Sequence, residues 1–337
     1  MRSVMVTHAD EPIGRRIVKT LFHDENVRCV IGVGSGPAPR AFDRFLAEPD
    51  GRFGYMRSSL SRHRPVSDLF GSSRVREANI DTVVHVPSHQ PSGGEAPRLL
   101  AGVPPRTAEA RLLLQHALET PGVRAFVALG SAFVYRLWPG NANRVRESSE
   151  LDLSPDVPAE LRSWIDCDMV FHSEVGNQRL RVVLLRLPTV VASGGYVYLN
   201  PSLAGRAGPR LRPLGFDPVC ALVADKDVAQ AVAAAVHSQR AGVYNVAGTE
   251  AVPLSVLGRW TGRPLLPVPG PWLRLAAGAL RLAGGETRLE TIAGDHLHYG
   301  FTLDTSRAER ELGFRPGHRI GVARAGDGEL RLETAPI

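Results

Sequence analysis

Lysine is almost missing from this chain. It occurs only at Lys19 and Lys226, so 38 of the 40 basic residues are arginine. The formal charge is +6, yet the arginines are scattered and form no dense basic run. That excludes the basic arm expected of a nucleic-acid partner. Cysteine is scarce too: Cys29, Cys167 and Cys220 are odd in number, widely spaced and without a C-x-x-C pair. A disulfide framework and a zinc site are therefore not expected. No apolar run approaches membrane-spanning length, and the chain enters a strand at Ser3–Thr7 with no leader-like apolar core. The expectation is a cytoplasmic, reduced protein with no membrane insertion. Two catalytic signatures are absent. There is no H-E-x-x-H, and Leu129-Gly-Ser-Ala-Phe133 lacks the second glycine of a nucleophile elbow. His85, His89, Asp166, Asp168 and His172 lack the spacing of a metal site, so no metal is expected.

What is present is an alternation of short apolar runs and helical stretches over 337 residues. Strands are expected at Val4–Val6, Val27–Val33, Asp81–Val86, Ala125–Leu129 and Arg181–Leu187. Helices are expected at Ile13–Phe22, Ala108–Leu118 and Ser163–Val175. Such alternation implies an α/β fold with a doubly wound parallel sheet. Pro37–Ser61 and Pro87–Pro105 look like long loops. After about residue 190 the pattern changes. A helix at Asp227–His237, a strand at Gly242–Val246, the segment Pro253–Thr261, an apolar helix at Trp272–Leu282 and a closing segment Asp304–Phe314 suggest a smaller C-terminal α/β lobe. The expected division is 1–190 for the sheet domain, 191–325 for the interleaved lobe and 326–337 for a tail. Trp272–Leu282 is apolar enough to lie on a membrane surface, but a packed helix explains it as well.

Four segments carry a resemblance. They are the strand–turn–helix from Val4 to Val18, the strand end Val83-Val-His-Val86, the segment Leu129-Gly-Ser-Ala-Phe-Val-Tyr135, and a C-terminal set. That set is Asp227–Val232, Val243–Val246 and Asp304–Phe314 with Pro316. In this order they resemble the extended short-chain dehydrogenase/reductase family, the NAD-dependent epimerases and dehydratases, over about residues 3–320. The resemblance implies a Rossmann-like NAD(P)-binding fold, NAD or NADP as cofactor, and a nucleotide-sugar-like small molecule as ligand. It also implies a homodimer through the helices Ala108–Leu118 and Ser163–Val175.

The family's site residues carry over poorly. Its phosphate loop, T-G-x-x-G-x-x-G, lets the backbone approach a pyrophosphate seated on a helix N-terminus. Here the three glycine positions read His8, Glu11 and Gly14. A carboxylate about 4 Å from a diphosphate would oppose it by roughly 4 kcal/mol at an effective dielectric of about 20. Thr7, Pro12, Ile13, Gly14, Gly34 and His85 stand at cofactor-facing positions, but Gly34 has no carboxylate for a ribose. The family's adenine-side aspartate appears as Ser59, and its alanines after the fourth strand as Pro87 and Ser88. The catalytic Y-x-x-x-K pair is missing outright. None of Tyr55, Tyr135, Tyr196, Tyr198, Tyr244 and Tyr299 has a lysine four residues on. Trp164 and Asp168 occupy the expected tyrosine and lysine positions, and neither does that chemistry. Ser131 remains at the position that orients a substrate hydroxyl, where a small residue also suits packing.

Two functions follow from this reading. The first is a pseudoenzyme: a family scaffold without cofactor turnover, serving binding, assembly with a protein partner, or regulation. The second is a divergent NAD(P)-dependent nucleotide-sugar epimerase, dehydratase or reductase that uses Tyr135 or Asp168 as base.

Overall fold

A computed structural model describes residues 1–88, 105–192, 196–198, 210–261, 265–272, 275, 294–324 and 330–337. Short apolar segments bounded by polar turns form its central sheet. The strands are β1 (Arg2–Val6), β2 (Val27–Gly34), β3 (Phe53–Arg57), β4 (Thr82–His85), β5 (Ala125–Ser131), β7 (Arg181–Leu187) and β12 (Gly242–Asn245). Their order is β12-β7-β5-β4-β1-β2-β3, and every neighbouring pair is parallel. This is the doubly wound sheet expected from the alternation. The winding reverses between β1 and β4, so the ends of these two strands border the crevice where such sheets bind ligands.

Helices cover both faces. On one side α1 (Pro12–Phe22) and α7 (Asp225–His237) bury Ile13, Ile17, Leu21, Val228 and Val232 against Val4, Val127 and Val183. On the other, α3 (His63–Phe70), α5 (Pro105–Glu119) and α6 (Ala159–His172) bury Leu69, Leu113 and Phe171 against Met5, Val83 and Phe126. The α1 helix begins with proline at its first turn, where a missing N–H is harmless. It packs tightly because Gly14 has no Cβ: one built there would overlap the His8 carbonyl.

The smaller lobe contains β8 (Thr189–Ala192), β9 (Tyr196–Tyr198), β11 (Val219–Ala224) and β13 (Ala251–Pro253), in the sheet order β13-β11-β8-β9. The helix α8 (Leu254–Trp260) follows β13, and Leu254 and Leu257 pack with Leu222 and Ala224.

Several expectations change. The stretch read as a long loop, Pro37–Ser61, contains β3 at the sheet edge. Phe42, Phe45, Phe53 and Phe22 pack there, Phe22 stacking on Phe45 at 4.3 Å. Arg74 lies over Gly54 of this strand, which explains a glycine that weakened its strand signal. The α5 and α6 helices begin earlier than their apolar patterns did. The segment assigned to a tail includes a strand, Leu330–Pro336, paired antiparallel with His318–Arg324. Most of Pro87–Pro105 and of the helix expected at Trp272–Leu282 lies outside the described residues.

Replacing Gly14 by Ala should destabilise the protein by about 1–3 kcal/mol, the usual result of overpacking a closed contact. Urea unfolding followed by circular dichroism measures this, and an unchanged midpoint would contradict the packing role.

Candidate functional site

The crevice between β1 and β4 is furnished with side chains from four separate segments. At the end of β1, His8 adopts a left-handed backbone with φ of 45°. Glycine takes that conformation easily, whereas a residue with a Cβ is strained in it by about 1–2 kcal/mol. The strained turn directs the imidazole inward. Its Nε2 lies 2.6 Å from Glu109 Oε1 on α5, and its Nδ1 lies 4.0 Å from Glu11 Oε1. Glu11 is the N-cap residue of α1 and accepts a 2.7 Å hydrogen bond from the Ser88 hydroxyl. His85, at the end of β4, places Nδ1 3.1 Å from the Thr7 hydroxyl and 4.0 Å from Glu109. The Thr7 hydroxyl also accepts from the main-chain N–H of Val86. His8, Glu11, His85 and Glu109 are all buried.

The charges of this cluster divide unevenly. Burial alone would lower the His8 pKa, but the Glu109 carboxylate and its hydrogen bond, with Glu11 and Asp10 beyond, raise it overall. Burial would raise the Glu109 pKa, and the His8 pairing holds it below the ordinary value instead. His85, fully enclosed, is pushed down to about 4 by burial. The cluster is thus a His8–Glu109 ion pair flanked by the Glu11 carboxylate and a neutral His85.

The ribose side is also rearranged. Asp10 reaches across the turn, and its Oδ2 accepts from the main-chain N–H groups of Ser35 and Gly36 at 3.0 and 3.1 Å. A Cβ at Gly34 would overlap Asp10 and the Tyr55 hydroxyl. The missing side chain at Gly34 therefore makes room for a carboxylate supplied from the loop. Beyond it, Ser35, Arg57, Ser58, Ser59, Pro65 and Asp68 line an open recess of about 520 Å³.

At the other end of the crevice, Trp164 lies under the Arg106 guanidinium, whose carbon is 4.2 Å from the ring centroid. Arg106 also bonds the Glu160 carboxylate at 3.0 Å and the Ser163 hydroxyl at 3.3 Å. Ser131 is buried, and its hydroxyl accepts from the Phe133 N–H, so it caps the turn Ala132–Val134. Asp168 carries a correction. The sequence put it at the family's lysine position and offered it as an alternative base. It is instead neutralised in the core by a two-pronged bond from Arg186, Nη2 to Oδ1 at 2.7 Å and Nε to Oδ2 at 2.8 Å. Arg186 Nη1 donates on to the Tyr135 hydroxyl at 2.9 Å, and that hydroxyl donates to Asn245 at 2.7 Å. Burial pushes Tyr135 up to about 12, against the pull of Arg186. Tyr135 and Asp168 are both committed to this buried network around Arg186. Among the described residues, no group of three or more His, Cys, Asp or Glu is arranged to hold a metal.

The helices proposed for dimerisation face mostly inward. Leu113, Leu114 and Phe171 are core residues, while Met169 is exposed and Leu112 and Val170 are half-buried. No described helix is long and apolar enough to cross a membrane.

Comparison with known proteins gives the fold a context. No family model matches the chain. Uncharacterized proteins of Mycobacterium bovis and Mycobacterium tuberculosis are 28% identical over 322 residues, covering 93% of this chain and 80% of theirs. Among solved structures, Pal from Bacillus thuringiensis superposes with a TM-score of 0.65 at 15% identity, over 97% of this chain and 96% of that one. UDP-glucuronic acid 4-epimerase from Bacillus cereus, solved with UDP-glucuronic acid and NAD, gives 0.62 at 17% identity over 93% and 94%. The dTDP-glucose 4,6-dehydratase DesIV from Streptomyces venezuelae, solved with NAD, gives 0.61 at 21% over 97% and 94%. The chain shares the Rossmann-like fold of these three structures.

Two predictions come from this chemistry. Asp168→Ala leaves Arg186 charged in the core without its carboxylate partner and should destabilise by about 3–5 kcal/mol. The double replacement Asp168→Leu with Arg186→Met should recover most of that in urea unfolding, and equal stability of native and single variant would contradict the pairing. The second concerns pH. His85 and His296 both have pKa values pushed down to about 4 by burial. Their unfolded values are about 6.5, so the unfolded chain binds more protons between pH 4 and 6.5 and stability should rise across that window. His8 is raised, so its contribution is present below about 6.5 and is lost as pH rises through its folded value. The urea midpoint should peak near neutral pH. A midpoint that is flat from pH 4 to 9 would contradict both assignments.

Proposed function

We propose that this protein is a non-catalytic relative of the NAD-dependent epimerases and dehydratases, with a cleft closed to dinucleotides by its own side chains. The observation that carries the reading is the His8–Glu109 pair, with Glu11, at the N-terminus of α1. A helix N-terminus attracts anions through its free N–H groups and dipole. Here the buried Glu11 is the N-cap residue itself, and His8, just before it, carries a side chain paired with the buried Glu109. A pyrophosphate would meet Glu11 and Glu109 at close range. Its residues do not fit the group, and no hydride step is assigned to this chain.

The catalytic end supports the same reading. Trp164 has no titratable proton in the useful range and is covered by Arg106. Asp168 is committed to Arg186. A scaffold without turnover keeps roles in binding, assembly or regulation, and a second copy is one candidate partner, through the exposed Met169 of α6.

A second reading rests on the open recess beside Ser35, Ser58 and Ser59. It suits the base of a nucleotide and favours a divergent nucleotide-sugar epimerase, dehydratase or reductase. In that case NAD is the better candidate than NADP, because Asp10 already caps the N–H groups of Ser35 and Gly36 and would oppose a 2′-phosphate.

Thermal unfolding with NAD, NADH, NADP and NADPH separates the two. A dinucleotide present at 100 times its dissociation constant stabilises by about 2.7 kcal/mol. The closed cleft predicts no shift with any of the four at millimolar concentration. A saturable shift with NAD or NADH would establish the second reading, and one with NADPH would contradict the role given to Asp10 as well.

A further inference from the structure

A recess beside β12, at the sheet edge opposite β3, belongs to neither the crevice nor the core. It holds about 390 Å³ and opens to solvent. One wall is the turn after the strand Arg144–Val145, with Arg146, Glu147 and Ser148. The other is the helix Ser306–Leu312 with Asp304 ahead of it. The strands Arg144–Val145 and Thr302–Leu303 pair in parallel and hold the two walls together. None of His8, Glu11, Glu109, Ser35, Ser58 and Ser59 lines this space.

The walls carry three guanidiniums, those of Arg146, Arg307 and Arg310, and two carboxylates. Both carboxylates are already engaged. Asp304 Oδ1 accepts from the Ser306 N–H at 3.1 Å and from its hydroxyl at 2.6 Å, and Oδ2 accepts from Arg146 Nε at 3.3 Å. The Ser306 bonds, with Arg144 and Arg146 beyond, hold the Asp304 carboxyl below the ordinary range. Glu147 Oε1 accepts from the Asn245 N–H at 2.8 Å. The guanidiniums keep spare donors. Arg146 bonds through Nε alone. Arg307 gives Nε to Glu311 at 3.2 Å and lies over Tyr244, 4.9 Å from the ring centroid, with its terminal amino groups unbonded among the described residues. Arg310 is exposed and makes no hydrogen bond or ion pair among the described residues. The recess therefore presents a surplus of charged N–H donors.

We propose that this recess binds a small phosphate ester, a short carbon body carrying one phosphate dianion. A guanidinium offers parallel N–H groups that match two phosphate oxygens, and such charge-assisted pairs are the strong ones. The third oxygen lets one phosphate engage more than one arginine. A space of about 390 Å³ exceeds what a free phosphate fills and lies in the range of small-molecule sites. The Ser148 side chain on the wall supplies a hydroxyl for the carbon body. The inference goes beyond the closed-cleft reading and stands whether or not a dinucleotide binds in the crevice.

Ribose 5-phosphate is the probe, with ribose and inorganic phosphate as counterparts, titrated into the full chain by calorimetry at fixed ionic strength. The expected result is saturable binding of one ribose 5-phosphate per chain, tighter than inorganic phosphate, and no binding of ribose. Arg310→Glu should abolish it. Arg310→Gln should weaken it by about tenfold or more, the loss of one charge-assisted hydrogen bond. Both variants should keep the native thermal midpoint, because Arg310 is exposed; Arg146→Gln, also at an exposed residue, takes their place should they not fold. Arg57→Glu, in the recess beside Ser35, should leave binding unchanged. Absence of saturable binding at millimolar ribose 5-phosphate would overturn the proposal. So would binding that survives Arg310→Glu, or binding lost in Arg57→Glu. Equal affinity for inorganic phosphate would overturn it too, marking an adventitious ion only.

Discussion

The structure turns on what meets the N-terminus of α1. Any helix exposes unpaired N–H groups and a positive dipole end there. In a dinucleotide-binding crevice the ligand's phosphates satisfy them, and glycines keep the approach clear. In this chain the N-cap is Glu11, and His8 lies between it and Glu109, at 4.0 Å from the first and 2.6 Å from the second. The arrangement requires His8 to hold a left-handed backbone, and the ion pair offsets that strain. Asp10 uses the space left by Gly34, and the neutral His85 keeps a fourth charge out of a crowded cluster.

The far end of the crevice obeys the same logic of internal pairing. The tyrosine–lysine chemistry of the family needs a titratable phenol beside a cation that faces the cofactor. Here the cation is Arg186, and it faces inward to Asp168, Tyr135 and the main chain of Glu147. A buried ion pair of this kind adds little net stability over an apolar pair, but it fixes side-chain geometry and resists removal of one partner. The groups that could have done acid–base work are spent on holding β5, β7 and α6 together.

Much of the fold was legible because it rests on local periodicity. The helix Pro12–Phe22 shows its apolar stripe, and the strands Arg181–Leu187 and Ala125–Ser131 show continuous apolar runs. The strand Phe53–Arg57 was not legible, because Gly54 and Arg57 dilute its pattern and its pairing with β2 is a tertiary matter. Within the site, the absence of a T-G-x-x-G-x-x-G loop and of any Y-x-x-x-K pair could be read directly. Their replacements could not. Glu109 lies 101 positions from His8, and nothing local announces the pair. Arg186 did leave a signal: an arginine inside an otherwise apolar strand demands a buried acid, and Asp168 is that acid. Asp10 was hidden because the acid that caps the N–H groups after β2 comes from the loop and not from the strand end.

On the proposed reading the crevice is blocked by particular side chains and is otherwise intact. Isothermal titration of NAD into the variant combining His8→Gly, Glu11→Gly and Glu109→Ala tests this directly, with the native protein alongside. If the crevice is blocked in this way, the variant binds NAD measurably and the native chain does not. Equal binding by both, or tighter binding by the native chain, would contradict it.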